Sequence, residues 1–206
     1  MGDAKLATNY TVREFIADVK TTLAAKGATD DGLREISQKM QELSKRSDLF
    51  ELGQYRRPSP GGNTIGSFRL YAEPDNTLIL SVSKFSHEHP TPVHTHNTWG
   101  VICGYTGQDH YIGYERVDDE SEDGFAELKE VFNRVVTRGD AVWWMEYPQD
   151  IHLQQAIGEP SWELLLMGRS TGGIERLHFD PENHRVWKVP ARQAGSEHAK
   201  TLPPSP

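Results

Sequence analysis

The sequence predicts a mainly β fold, an antiparallel barrel or jelly roll, preceded by a pair of helices. Three observations predict it. Up to Arg46, apolar residues recur at helical spacing and each run carries a helix start signal. A Pro- and Gly-rich break follows at Arg57-Pro58-Ser59-Pro60-Gly61-Gly62-Asn63. Beyond it the apolar period falls to two, in short runs separated by turn residues. Two helices followed by many short strands fit a closed or two-layer β architecture with a helical cap. The expected division is a helical cap over 1–57, a β-barrel over 64–190 and a disordered tail over 191–206.

The elements follow in order. Thr11-Val12-Arg13-Glu14 is a capping box, in which the Thr11 hydroxyl accepts from the Glu14 amide and Glu14 reaches back. Val12, Phe15, Ile16, Val19 and Leu23 then share one helical stripe, and Gly27 is the stop. A second helix is expected over 30–46, with Leu33, Ile36, Met40 and Leu43 on one face. Past the break, 68–71 reads as strand, 73–76 as turn and 77–85 as strand. In the last of these Leu78, Leu80 and Val82 alternate with Ile79, Ser81 and Ser83. His87-Glu88-His89-Pro90 reads as loop. The run 99–105 is apolar, Thr106-Gly107 turns the chain, and 108–117 returns. The acidic stretch 118–124 reads as a solvated hairpin tip. One or two strands over 127–136, a Gly139-Asp140 turn, strands over 141–145 and 151–155, the loop at Gly158-Glu159-Pro160 and a strand over 161–168 complete the set.

Composition excludes several classes of function. At 206 residues, with 36% apolar and 25% charged, one soluble globular unit with a substantial core is expected. The net charge is −8 and no cluster of Lys and Arg stands out, which argues against nucleic-acid binding. No apolar run approaches the ~20 residues of a membrane span. The start, Met1-Gly2-Asp3-Ala4-Lys5, lacks the pattern of a signal peptide. The single cysteine, Cys103, excludes an intramolecular disulfide, fits a cytoplasmic location and reads as a small buried apolar residue. A homodimer is compatible with this composition.

The chemistry concentrates in Pro92-Val93-His94-Thr95-His96-Asn97-Thr98-Trp99-Gly100. In a strand, positions i and i+2 point the same way, so His94 and His96 would present two imidazoles side by side. Neutral imidazole is a good ligand for Zn, Fe, Ni or Cu. The third candidate is His152, downstream of the Gly139-Asp140 turn. An H-x-H pair alone is more often a surface or hydrogen-bonded feature than a metal site; the shared face, the distal His152 and the surrounding β pattern shift the balance. His87, His89 and His110 are weaker competitors. Trp99, Trp143, Trp144 and Tyr147 could line a pocket, although core packing is the commoner role for such residues.

The order H-x-H, Gly107, Gly139-Asp140, His152 resembles the two motifs of the cupins. More narrowly, the segment 92–100 followed by Gly107 resembles the bacterial cysteine and 3-mercaptopropionate dioxygenases. The likeness runs over about 67–179. It implies a cupin double-stranded β-helix in which His94, His96 and His152 are the facial ligands of Fe(II). It further implies a cytoplasmic enzyme that oxidises a small thiol with O₂ to a sulfinate. The glutamate ligand common in cupins falls near Gly100 or Val101, and neither can ligate. The resemblance places a substrate carboxylate on Arg176, with Arg69 as the other candidate. A surface ion pair of Arg176 with Glu175 or Asp180 is the competing role. One departure stands out. Where relatives carry Ser-x-His-x-Tyr, this chain has Glu163, Leu165 and Met167. Glu163 is a base or an Arg176 partner if it faces inward, and solvated if it faces outward. The departure leaves two alternatives open: a cupin oxygenase with a non-thiol substrate, and a metal-bearing binding protein without turnover.

Overall fold

The computed structural model describes residues 9–49, 54–56 and 66–191. The Arg57–Asn63 break and the tail beyond 191 lie outside the described residues. Helix α1 spans Val12–Lys26 and opens with the expected capping box. Thr11 Oγ1 accepts from the Glu14 amide at 3.1 Å, and the Thr11 amide donates back to the Glu14 carboxylate at 2.8 Å. The helix stops at Gly27. Helix α2, Asp30–Ser44, starts from Thr29, whose hydroxyl accepts from the Gly32 amide.

Twelve strands follow: β1 (Gln54–Arg56), β2 (Gly66–Ala72), β3 (Ile79–Phe85), β4 (Val93–His94), β5 (Gly100–Thr106), β6 (Asp109–Arg116), β7 (Leu128–Val136), β8 (Ala141–Trp144), β9 (His152–Ala156), β10 (Ser161–Met167), β11 (Arg176–Asp180) and β12 (Arg185–Val189). They form two six-stranded sheets, ordered β1-β2-β3-β10-β5-β8 and β12-β11-β4-β9-β6-β7. All these pairings are antiparallel. Spatial neighbours such as β3, β10 and β5 are distant in sequence, so the chain passes repeatedly between the two sheets, as in a jelly roll. Gly107, at φ 75°, makes the turn from β5 to β6.

Strict alternation sorts side chains between the outside of the first sheet and the barrel interior. Leu80 and Val82 of β3, Val101 and Cys103 of β5, and Leu164 and Leu166 of β10 point outward to the helices. There they join Leu33, Ile36, Met40 and Leu43 of α2, each of which is fully buried. Burial of this kind contributes roughly 1.5–3 kcal/mol per large apolar side chain. The alternate residues, Ser81 and Ser83, Ile102, and Glu163, Leu165 and Met167, therefore face the interior.

Two sequence expectations need correction, and one hairpin within the expected barrel was not singled out. The segment assigned to the helical cap, 1–57, also contains β1, which pairs with β2 inside the first sheet. The strand holding the H-x-H pair ends at His94, because the His96 amide bonds a side chain rather than a neighbouring strand. The hairpin β11–β12 was not singled out, yet it completes the second sheet beside the histidines.

Candidate metal centre

His94 and His152 stand directly opposite each other across β4 and β9, and opposed residues on antiparallel strands share a face. His96 reaches the same place from the loop after β4. Ring centroids lie 4.7 Å apart for His94 and His96, 4.9 Å for His94 and His152, and 5.0 Å for His96 and His152. One nitrogen from each ring falls within 4.8 Å of the other two. All three residues are buried.

The second nitrogens show how the rings are held. His94 Nδ1 lies 2.8 Å from the Pro92 carbonyl, and His152 Nδ1 lies 3.0 Å from the Asp150 carbonyl. A carbonyl only accepts, so both Nδ1 atoms carry the proton and both Nε2 atoms present lone pairs. His96 Nε2 and His152 Nε2 are 3.4 Å apart. Two nitrogens bound at about 2.0–2.1 Å to one ion at a tetrahedral angle would be separated by about 3.4 Å. Burial, followed by the neighbouring histidines and the charge of Arg176, holds His94 well below the usual imidazole range. Burial, then His152 and Arg176, does the same to His96. His152 is pushed down to about 4 by burial. Three neutral, convergent, buried imidazoles fit a divalent transition metal.

Asp150 organizes this arrangement and was not singled out from the sequence. It is fully buried, and its Oδ2 accepts from the His96 amide at 2.7 Å and the Asn97 amide at 2.6 Å. Its backbone carbonyl is the one that orients His152. One residue thus ties the loop carrying His96 to the strand carrying His152. Burial raises its carboxyl to about 6 despite those two amides. Trp144 and Tyr111 close the site with flat rings, Trp144 stacked 5.3 Å from His96 and Tyr111 stacked 5.0 Å from His152. A Cβ built on Gly100 would sit 2.1 Å from Trp144 Cζ2, so the indole occupies the space a side chain there would need. No carboxylate ligand can enter from that position.

The other expected site residues are distributed as follows. Arg176 is half-buried on β11, and its charge acts on His94, His96 and His178. Of its two proposed surface partners, Glu175 pairs with Lys188 at 3.2 Å, and Asp180 accepts from Asn183 at 2.8 Å. Arg69 lies on β2 opposite Ser81, in the first sheet. Glu163 faces inward and is 1% exposed, but it bonds Gln154 at 2.7 Å. The same Gln154 amide donates to Asp109 at 3.0 Å. Burial, then the nearby Asp109 carboxylate, raises Glu163 well above the usual carboxylate range, and burial pushes Asp109 up to about 7. Leu165 packs with Ile102, Tyr111, Val142 and Trp144.

Of the four aromatics that could line a pocket, with core packing the commoner role, Trp144 stacks on a triad ring. Trp99 and Trp143 pack on the helix side, and Tyr147 donates to Glu120. Cys103 faces the helices, with its thiol pushed up to about 12 by burial. His110 sits 2.6 Å from Asn133, and His87 and His89 are exposed.

No family model matches the sequence, and no curated protein does. Similar solved structures include a DMSP lyase from Ruegeria pomeroyi, at 17% identity over 64% of each chain and TM-score 0.42. An RmlC-like cupin protein from Ralstonia eutropha is 13% identical over 66% of this chain and 74% of that one, at TM-score 0.42. A cupin-like protein from Thermotoga maritima is 14% identical over 54% of this chain and 77% of that one, at TM-score 0.36. The chain spans less than two-thirds of the length of the lyase.

Proposed function

We propose that the chain is a non-haem iron dioxygenase that oxidises a small thiol carboxylate to a sulfinate. The observation that carries this reading is the cluster of three neutral histidines, flanked by two stacked rings and lying in the field of the Arg176 charge. His94, His96 and His152 would hold the iron. When bound, an iron(II) with only neutral ligands supplies undiminished positive charge that deprotonates a thiol and supports reaction with O₂. The reaction balances without a further reductant, because sulfur loses the four electrons that O₂ gains and keeps both oxygen atoms.

The chain's own residues do the rest. Hydrogen bonds to Pro92 and Asp150 fix two rings as neutral donors aimed at one point. Trp144 and Tyr111 exclude water from the buried side. Arg176 takes the substrate carboxylate in a charge-assisted bond. Glu163 is taken up by Gln154, and Leu165 and Met167 make the rest of the interior face of β10 apolar, so a thiol bulkier or less polar than cysteine and 3-mercaptopropionate is favoured. The same two residues favour the second reading, an oxygenase with a non-thiol substrate, because they offer no proton or hydrogen bond to a reacting group.

Oxygen uptake with matched sulfinate detection across a panel of thiols tests the proposal. Coupled oxidation of at least one thiol carboxylate is expected, with cysteine and 3-mercaptopropionate slow. Arg176→Ala should raise KM for the carboxylate about ten- to a hundredfold and leave an uncharged thiol little changed. Absence of thiol-dependent uptake by iron-loaded protein would contradict the reading.

A further inference from the structure

The barrel interior holds a second polar group, built from β6, β9 and β10. Asp109 stands opposite Ala156 across β6 and β9, and Gln154 shares the inner face of β9 with Ala156. Ser161 and Glu163 share the inner face of β10, where Glu163 stands opposite Ser83 of β3. Ser161 also abuts the turn that leads into Asp109: a Cβ built on Gly107 would lie 3.0 Å from Ser161 Cα and 3.3 Å from its Cβ. Asp109, Ser161 and Glu163 are each 1% exposed. Neither carboxyl forms an ion pair among the described residues.

Gln154 Nε2 donates to one oxygen of each carboxyl, Asp109 Oδ2 at 3.0 Å and Glu163 Oε2 at 2.7 Å. Three oxygens of the group then have no hydrogen-bond partner among the described residues: Asp109 Oδ1, Glu163 Oε1 and Ser161 Oγ. Buried polar atoms are rarely left unmatched, and each exception calls for an explanation. The two carboxyls can share one proton between them. That proton answers the carboxyls and leaves the serine oxygen unmatched. One divalent cation answers all three oxygens and neutralises both carboxylates. Two carboxylates and a hydroxyl are hard oxygen donors, which suit calcium or magnesium rather than the metals that imidazole takes. We propose that Asp109, Glu163 and Ser161 hold a hard divalent cation, at a second site that shares no ligand with the histidine triad.

Equilibrium dialysis of the full-length protein against calcium at pH 8 tests the site. Burial pushes Asp109 up to about 7, so above that pH a shared proton competes least. Calcium takes oxygen ligands, so the histidines do not compete for it. Wild-type protein should bind about one calcium per chain, with a rise in Tm. Glu163→Gln keeps the shape of the side chain and removes its charge. It should weaken calcium at least about tenfold, because affinity follows the charge count of the ligands. Asp109→Asn should do the same, and decides alone should Glu163→Gln fail to fold. Calcium should not raise the Tm of either variant. The site is overturned if wild-type protein binds no calcium, which would leave a shared proton as the occupant. It is also overturned if the variants bind calcium as tightly as the wild type, which would move the ion elsewhere, the acidic stretch 118–124 first.

Discussion

Asp150 uses one carboxylate oxygen to hold the amides of His96 and Asn97, and its own carbonyl to hold the His152 ring. Removing its side chain would release the loop after β4 while leaving all three histidines in the chain. Partners of this kind are typically worth 10- to 100-fold in metal affinity. Asp150→Ala is accordingly expected to weaken metal binding by about that factor with little change in the far-UV circular dichroism; unchanged affinity would show that the loop is held by other means. At this scale the sequence was legible in part. His94, His96 and His152 announced themselves through an i, i+2 pair and a spaced third histidine. Asp150 did not, because its role depends on meeting the amide of a residue 54 positions away.

The strand β10 shows what alternation decides once a second element fixes the face. Leu164 and Leu166 pack on the helices, so Glu163 must turn inward, a choice the sequence left open. Inside, it meets Gln154 and Asp109 rather than Arg176. Because Asp109 is raised to about 7 and Glu163 is raised well above its usual range, the folded protein keeps protons that the unfolded chain has already lost. Stability from this pair therefore begins to fall above the ordinary carboxylate value of about 4 and is lost as pH rises through about 7. The triad histidines act with the opposite sign below their ordinary value of about 6.5, so the two effects oppose each other there and the histidines drop out above it. Urea unfolding should show the wild type losing stability between pH 6.5 and pH 8.5. Glu163→Gln, which replaces the titrating acid with a fixed amide, should flatten that loss. Equal slopes for the two proteins would remove the pair as the source.

Across the whole molecule, the two helices bury the outer face of the first sheet, and the second sheet supplies His94 and His152 from adjacent strands. The change of apolar period after the Pro-Gly break made the helix-then-barrel order legible, and the alternation of 77–85 and 161–168 made individual strands legible. Strand order was not legible, since β3, β10 and β5 become neighbours only through contacts far apart in sequence. Nor was the replacement of a possible fourth ligand by Trp144, which depends on β5 and β8 lying side by side at Gly100. Among the described residues no helix is long and apolar enough to cross a membrane. The central claim is that this barrel holds one metal ion between three neutral histidines. The direct test is the metal content per chain of protein purified without added metal, compared with that of His152→Ala. About one ion per wild-type chain, iron foremost, and a near-complete loss in the variant are expected. Full occupancy in His152→Ala, or wild-type protein that takes up no divalent metal even when it is supplied, would contradict the account.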